Sequence, residues 1–169
     1  MNKFFIITVG AISTAATLFL LKFGIDRVQE AKARSAIVSI NKTQQEYFMK
    51  NKQFLLKISS TRLKNQIESE NYLFKIERKL KPSDGVAYVQ HLAIPKKDGL
   101  RSYIGIVRGV HFAGGTTSMT RMCESNKPTV QSPPEPEFSK RSLVGGNGKS
   151  YVVGMEVRCP NGYSSVATQ

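Results

Sequence analysis

The stretch from Phe4 to Leu21, FFIITVGAISTAATLFLL, contains no charged residue. As an α-helix it would be about 27 Å long at 1.5 Å per residue, which matches the hydrocarbon core of a bilayer. The stretch therefore predicts a single-pass transmembrane anchor, and we assign residues 1–24 to this first segment.

A cleavable secretory signal is the alternative for the same stretch. Its apolar region usually spans roughly 7 to 15 residues, and small residues at a cleavage site follow closely. Here Lys22 and Phe23 follow instead, and the small-x-small triplet Ala31-Lys32-Ala33 lies well downstream in a charged region. The length of the apolar run favours a retained anchor.

The next segment, residues 25–64, has the composition of a helical stalk. It contains no Gly or Pro from Ile25 to Thr61, and its background of good helix formers carries a stripe at spacings of three and four. The positions of that stripe are Ile25, Val28, Ile37, Ile40, Gln44 and Tyr47.

Basic side chains dominate the rest of this segment. Residues 22–64 hold ten basic residues against three acidic ones, a net charge of +7. The basic stalk begins with Lys22, Arg27, Lys32 and Arg34. A solvated helix face is one interpretation, and contact with anionic lipid, which contributes about 1 kcal/mol per basic residue near the surface, is the other. We favour the lipid bilayer as the partner of this segment.

Residues 65–169 are predicted to form a β-rich head, because short runs of aromatic and β-branched residues alternate with Pro, Gly, Asn and Asp. The candidate strands are Tyr72 to Leu80, Val86 to Ile94, Ser102 to Phe112, Thr116 to Cys123 and Tyr151 to Val157. Pro82-Ser83-Asp84-Gly85 and Gly114-Gly115 are the predicted hairpin turns. A helix packed on such an antiparallel sheet is an α+β architecture.

Between Asn126 and Gly148 the composition shifts to proline and polar residues. The runs Pro133-Pro134-Glu135-Pro136 and Gly145-Gly146-Asn147-Gly148 predict a mostly extended loop there. Loops on a rigid scaffold commonly carry binding, so we expect the contact surface of the head to lie in this stretch.

Cys123 and Cys159 are the only cysteines, and they lack the companion ligands of a zinc site. A disulfide between them would persist outside the cytoplasm and favours a head in the periplasm or at the cell surface. The alternative is two free buried thiols in a cytoplasmic head. The basic residues that follow Leu21 favour that inward orientation, because positive charge collects on the cytoplasmic side of an anchor.

The whole chain is strongly basic, with 25 Lys and Arg against 12 Asp and Glu, a formal net charge of +13. Such a charge favours an anionic neighbour without identifying it. A nucleic-acid-binding accessory protein is therefore an alternative function, and basic residues beside Tyr103 and Phe112 would supply its surface. No recognition motif supports that alternative.

The sequence offers no catalytic or metal-binding constellation, and we expect neither enzyme activity, a cofactor nor a small-molecule substrate. His91 and His111 are the only histidines, and they fall in separate predicted strands. Gly145 to Ser150 resembles a phosphate loop only superficially, because Leu143 stands where that motif requires its first Gly. No Gly-x-Ser-x-Gly pattern occurs.

Five segments together resemble cyanobacterial proteins of the type IV pilin-like G/H family, a family named for its similarity to secretion-pathway pseudopilins. The segments are AKARS at 31–35 through NKTQQEYF at 41–48, then NKQF at 51–54, NYLFKI at 71–76, LRSYIG at 100–105 and CESNKP at 123–128. The resemblance implies a long N-terminal helix, a sheet laid on its C-terminal half, and a loop near the C-terminus bounded by Cys123 and Cys159. It also implies pilus or envelope proteins as partners. With this resemblance, the nucleic-acid-binding alternative becomes an accessory of a DNA-uptake pilus.

The sequence departs from the family pattern where filament assembly is decided. Sequences of pilins that polymerise typically begin with a short basic leader that ends in Gly. A segment of the Phe-Thr-Leu-Ile-Glu type follows that leader. Here Gly10 precedes Ala11, and no acidic residue occurs before Asp26. We therefore expect a non-catalytic minor pilin or accessory of a pilus or secretion system rather than a major filament subunit.

Overall fold

The computed structural model describes residues 4–55, 69–81, 86–112, 115–144 and 150–167. Within these ranges, side chains are described except at residues 4–21, 23, 78–81, 86, 111–112, 140–144 and 150–155. The predicted turn at 82–85 and Gly114 lie outside the described residues.

One long helix precedes seven strands. Their bounds are α1 Phe4–Asn51, β1 Tyr72–Lys81, β2 Val86–Pro95, β3 Tyr103–Phe112, β4 Gly115–Ser125, β5 Glu137–Val144, β6 Ser150–Arg158 and β7 Tyr163–Ser165. The predicted α+β architecture is confirmed, and the five predicted strands correspond to β1, β2, β3, β4 and β6.

The strands form two antiparallel sheets. The larger one has the order β1-β2-β3-β4-β7, and the smaller one is the β5–β6 hairpin. Adjacent residues of a strand point to opposite faces. Accordingly Tyr103 packs with α1, whereas its neighbour Ile104 packs in the cluster that includes Val157 of the hairpin. The five-stranded sheet is thus the middle layer, with α1 on one face and the hairpin on the other.

The face of α1 that meets the sheet begins at Ala33. The buried positions are Ala33, Ala36, Ile37, Ile40, Asn41, Gln44 and Phe48, which recur every three or four residues. The predicted stripe is right at Ile37, Ile40 and Gln44 but wrong at Ile25 and Val28, which are 57% and 53% exposed. The buried face of α1 begins only at Ala33, so Ile25 and Val28 precede the part of the helix that the sheet covers.

The helix ends at Asn51, short of the predicted stalk, and this end is a correction to the sequence-based expectation. Lys52 has a φ of 59°, and its N–H donates to the carbonyl of Phe48 at 2.8 Å, which turns the chain out of the helix. Phe54 then stacks on Phe48 with ring centroids 4.7 Å apart. The remainder of the predicted stalk, residues 56–64, lies outside the described residues.

Two strands were not expected. β5 occupies part of the predicted extended loop, because it pairs along its length with β6 and places Phe138 against Tyr88, with ring centroids 4.6 Å apart. β7 is a three-residue strand that pairs with the end of β4. Only Asn126 to Pro136 remains extended loop between β4 and β5.

Candidate interaction surface around the helix, the ion-pair cluster and the disulfide

Cys123 and Cys159 form a disulfide, with Cα atoms 5.7 Å apart. The prediction of this bond is confirmed. Cys123 lies in β4 and is fully buried, whereas Cys159 directly follows β6. The bond closes a loop across a sequence separation of 36 residues that contains the whole β5–β6 hairpin. The hairpin layer is therefore covalently tied to the middle of the head.

The start of the disulfide-bounded loop is fastened to the head by hydrogen bonds. The N–H of Ser125 donates to the carbonyl of Ser102 at 2.9 Å, and the Oγ of Ser125 accepts from the N–H of Ser102 at 3.0 Å. The N–H of Asn126 donates to the carbonyl of Gly162 at 2.8 Å. Beside these contacts lies a cleft of about 440 Å³ lined by residues such as Lys127 and Tyr163. The loop thus presents polar groups from a fixed base.

Glu124 holds α1 and the sheet together through two arginines. Its carboxylate accepts hydrogen bonds from Arg34 of α1 and from Arg101, which precedes β3. Only 11% of the Glu124 side chain is exposed, so water screens these ion pairs weakly. The hydrogen bond with Glu124 is the largest cause of a raised pKa at Arg101.

Arg34 was predicted as part of a basic stalk face, and the structure gives it this second role at the helix–sheet junction. Burial lowers the pKa of its guanidinium, but the hydrogen bond and negative charge of Glu124 outweigh burial and raise that pKa above its ordinary value. Its side chain is 46% exposed and also lies over the ring of Tyr103, at 5.9 Å from the centroid. Lys22, Arg27 and Lys32 are exposed on α1.

A buried polar pair lies deeper in the same interface. Asn41 of α1 and His91 of β2 are both buried, and Nδ1 of His91 lies 3.0 Å from Oδ1 of Asn41. Because an amide oxygen only accepts, Nδ1 must carry the proton of the neutral imidazole. Burial lowers the pKa of His91 to about 3. His91 is therefore a neutral residue packed between α1 and the sheet.

Tyr103 does not offer a platform for a nucleic acid base. It is fully buried between α1 and the sheet, and burial raises the pKa of its hydroxyl. The side chain of Phe112, the other aromatic residue on which the nucleic-acid alternative depends, lies outside the described residues. No group of three His, Cys, Asp or Glu side chains that could hold a metal occurs among the described residues.

The predicted anchor, Phe4 to Leu21, forms the first part of α1, but its side chains lie outside the described residues. Where side chains are described, which in α1 begins at Lys22, no helix is both long enough and apolar enough to cross a bilayer.

Glu124 and Asn41 are the contact residues that the sequence analysis did not single out. Glu124 adjoins Cys123 in a strongly basic chain, and Asn41 adjoins Ile40 in the buried stripe. Glu124 stands where a basic residue would be expected and Asn41 where an apolar one would be expected. That difference is the signal by which the sequence could have pointed to them. The partners of Glu124 are 90 and 23 residues away and the partner of Asn41 is 50 residues away, so pairing could not be assigned from local pattern.

A long N-terminal helix laid on an antiparallel sheet, with a disulfide-bounded loop near the C-terminus, defines a pilin-like class of protein. The family model described as type IV pilin-like G and H matches residues 30–160, and the chain belongs to that family. Membership suggests a pilus-related structural protein of the cell envelope or surface that interacts with other pilus proteins. No curated protein matches the chain, and no solved structure matches it either.

Proposed function

We propose that this chain is a membrane-anchored, non-catalytic interaction protein of a type IV pilus or secretion system, acting as a minor pilin or accessory. The observation that carries the proposal is the continuity of α1 from Phe4 to Asn51. The same helix that packs into the head from Ala33 to Phe48 also contains the uncharged run of residues 4–21. A head held on such a helix would stay at a fixed distance from the membrane.

The disulfide supports a head outside the cytoplasm, in the periplasm or at the cell surface, because such bonds are maintained in oxidising compartments. In this proposal residues 1–24 form the anchor, the following part of α1 leads into the head, and residues 65–169 form the rest of it. The first helical turns after the anchor present Lys22, Arg27 and Lys32 to their surroundings.

Alkaline carbonate extraction tests the anchor. We expect the full-length protein to stay in the membrane pellet, and Ile12→Lys, which places a charge in the middle of the apolar run, to release a large part of it. A lysine at the centre of a membrane helix costs about 2.5 to 3.5 kcal/mol. Met49→Lys at the exposed far end of the same helix is the control and should stay in the pellet. Release of the unmodified protein by carbonate would overturn the proposal.

The orientation is tested by the intact mass of membrane-extracted protein after thiol alkylation, with and without prior reduction. We expect an unshortened chain whose two cysteines react only after reduction. Free thiols on an intact chain would place the head in the cytoplasm instead, as the flanking charges alone suggest.

The contact with other pilus or envelope proteins is proposed to involve the loop from Asn126 to Pro136. A photo-crosslinking residue at Lys127, which is exposed in this loop, should yield adducts with a pilus or envelope protein in living cells. The same residue at Met119, exposed in β4, is the control. Equal adducts from both positions would argue against a contact through this loop.

A further inference from the structure

The loop between β2 and β3 lies against α1 where the helix enters the head. Nζ of Lys97 is 3.9 Å from Oδ1 of Asp26, and the N–H of Arg101 donates to Oε1 of Glu30 at 3.0 Å. These contacts fix the loop beside the turns of α1 that follow the uncharged run.

The helix itself gives the distance of this loop from the end of the apolar run. At 1.5 Å per residue, Asp26 lies about 7.5 Å beyond Leu21 along the axis, and Glu30 lies about 13.5 Å beyond it. The polar headgroup region on each side of a bilayer is roughly 5 to 8 Å thick. If residues 4–21 fill the hydrocarbon core, the loop at Asp26 lies at the outer edge of the headgroup layer.

At this end of the head, acidic side chains of α1 face the loop, whereas basic side chains lie at the surface. The two acidic residues in the first turns of α1 after the uncharged run, Asp26 and Glu30, face the head and hold the loop, and only 18% of the Asp26 side chain is exposed. The basic residues lie at the surface instead: Lys22, Arg27, Lys96 and Lys97 are exposed. The loop also carries one exposed acidic residue, Asp98. The outward surface therefore suits an anionic layer.

Exposed apolar side chains occur at the same end. Ile25 and Val28 are more than half exposed on α1. Val130 is 45% exposed and follows Thr129, whose N–H donates to the carbonyl of Leu100 in the same loop at 3.0 Å. Exposed aliphatic groups beside lysines and arginines are typical of surfaces that lie at a membrane interface.

We propose that this end of the head rests on the bilayer and binds the headgroups of anionic phospholipids. We call this surface the basic rim and define it as Lys22, Ile25, Arg27, Val28, Lys96, Lys97 and Val130. The inference rests on the proposed function, since it requires residues 4–21 to span the membrane. It goes further by assigning lipid contact to a loop of the sheet, which would fix the tilt of the head on the membrane.

Site-specific quenching tests the rim on the full-length protein in vesicles. Both native cysteines are in the disulfide, so a single introduced cysteine can be labelled alone. We would attach a fluorophore at Asp98→Cys in the loop or at Met119→Cys, and use vesicles of phosphatidylglycerol and phosphatidylcholine with a nitroxide on the headgroup. Met119 belongs to the far end of the head, where the neighbouring Ser118 contacts Gln45 of α1.

We expect strong quenching at position 98 and little at position 119. Replacing Lys96 by Gln in the Asp98→Cys background, which leaves the Lys97–Asp26 contact in place, should lower the membrane-contact equilibrium by roughly fivefold at low salt. The matched control replaces Lys50 by Gln, at the other end of α1, and should leave the quenching unchanged. In vesicles of phosphatidylcholine alone, the label at position 98 should be quenched less than in vesicles that contain phosphatidylglycerol, even when all the lysines are kept.

The outcomes separate the two proposals. Protein that does not float with the vesicles would overturn the anchor, and with it the proposed function. Protein that floats, but whose label at 98 is quenched no more than the label at 119, would overturn the basic rim alone. Quenching at position 98 that depends neither on lipid charge nor on the Lys96→Gln change would also overturn it, because the loop would then be near the membrane without binding anionic headgroups.

Discussion

Oδ1 of Asn41 in the helix lies 3.0 Å from Nδ1 of His91 in the second strand, and both side chains are buried. The pair crosses the interface between α1 and the sheet, where the next strand carries Gly105 opposite His91. A glycine is required there because a Cβ at position 105 would lie 2.3 Å from that amide oxygen. The Asn41–His91 pair thus occupies the space that a side chain at position 105 would need.

The first prediction concerns pH. Burial lowers the pKa of native His91 to about 3, whereas an unfolded histidine titrates near 6.5. The unfolded state therefore binds a proton first as the pH falls, so the stability that neutral His91 contributes is complete above about pH 6.5 and is lost between there and pH 3. At pH 5 the loss amounts to about 2 kcal/mol.

Denaturant unfolding of the detergent-solubilised protein at pH 8 and pH 5 measures this effect. His91→Gln cannot titrate and should lose about 2 kcal/mol less stability between the two pH values than the unmodified protein. The control compares the two proteins between pH 8 and pH 9, where His91 is neutral in both the folded and the unfolded state, and their stabilities should change equally. An unchanged pH dependence in His91→Gln would contradict the assignment.

The second prediction compares two glutamates, each of which is paired with two arginines. Glu124 is buried between Arg34 and Arg101, whereas Glu156 is 42% exposed beside Arg121 and Arg158. Glu124→Gln should lower the free energy of unfolding by about 1.5 to 3 kcal/mol, because two charged hydrogen bonds to a largely buried carboxylate are lost. Glu156→Gln should change it by less than about 0.5 kcal/mol, because solvent screens exposed pairs.

Thermal or denaturant unfolding of the two variants under one set of conditions gives the comparison. Raising the salt concentration should reduce the loss in Glu124→Gln only slightly, since buried pairs are screened much less than exposed ones. Equal losses in both variants would mean that burial of Glu124 does not decide its contribution.

Four of the five strands of the larger sheet could be predicted because their signals are local. Aromatic and β-branched runs between Pro, Gly and Asn located β1 to β4 within a few residues, and the two cysteines were sufficient to suggest their bond. β5 could not be found in this way. Ser139, Lys140, Arg141 and Ser142 have no marked strand preference, and their conformation depends on pairing with β6.

The end of the helix was missed for a similar reason. Nothing in residues 52–61 is a helix breaker, and the end is instead set by contacts that the helix makes with the chain after it. The Gln44 side chain both donates to the carbonyl of Leu55 and accepts from its N–H, each at 3.0 Å. Such a side-chain clamp replaces the backbone hydrogen bonds that a continuing helix would have made.

The third prediction follows from the close approach of α1 to β3. A Cβ on Gly109 would lie 2.1 Å from the ring of Phe48, which is itself buried and stacked on Phe54. Gly109→Ala should therefore lower the free energy of unfolding by about 1 to 3 kcal/mol through overpacking. Thermal unfolding of the solubilised protein measures the loss.

Gly24→Ala is the control for that variant. Position 24 is helical, and a Cβ there would meet no atom within 4 Å, so the change should leave stability unchanged or raise it by up to about 1 kcal/mol through helix propensity. If Gly109→Ala behaved like Gly24→Ala, the helix would have to lie farther from β3 than the structure places it.

The fourth prediction concerns the disulfide. Reducing a bond that closes a loop with a sequence separation of 36 residues should lower the free energy of unfolding by about 3 to 4 kcal/mol, because the unfolded chain regains the freedom that the bond removes. The double variant Cys123→Ser with Cys159→Ser should unfold at the same denaturant concentration with and without reductant, near that of the reduced native protein.

The loss of stability on reduction should centre on the hairpin, since β5 and β6 lie inside the closed loop and pair only with each other among the described strands. Hydrogen exchange should accordingly accelerate more in β5 and β6 than in β2 and β3, and uniform acceleration across both sheets would show that the bond stabilises the head as one cooperative unit.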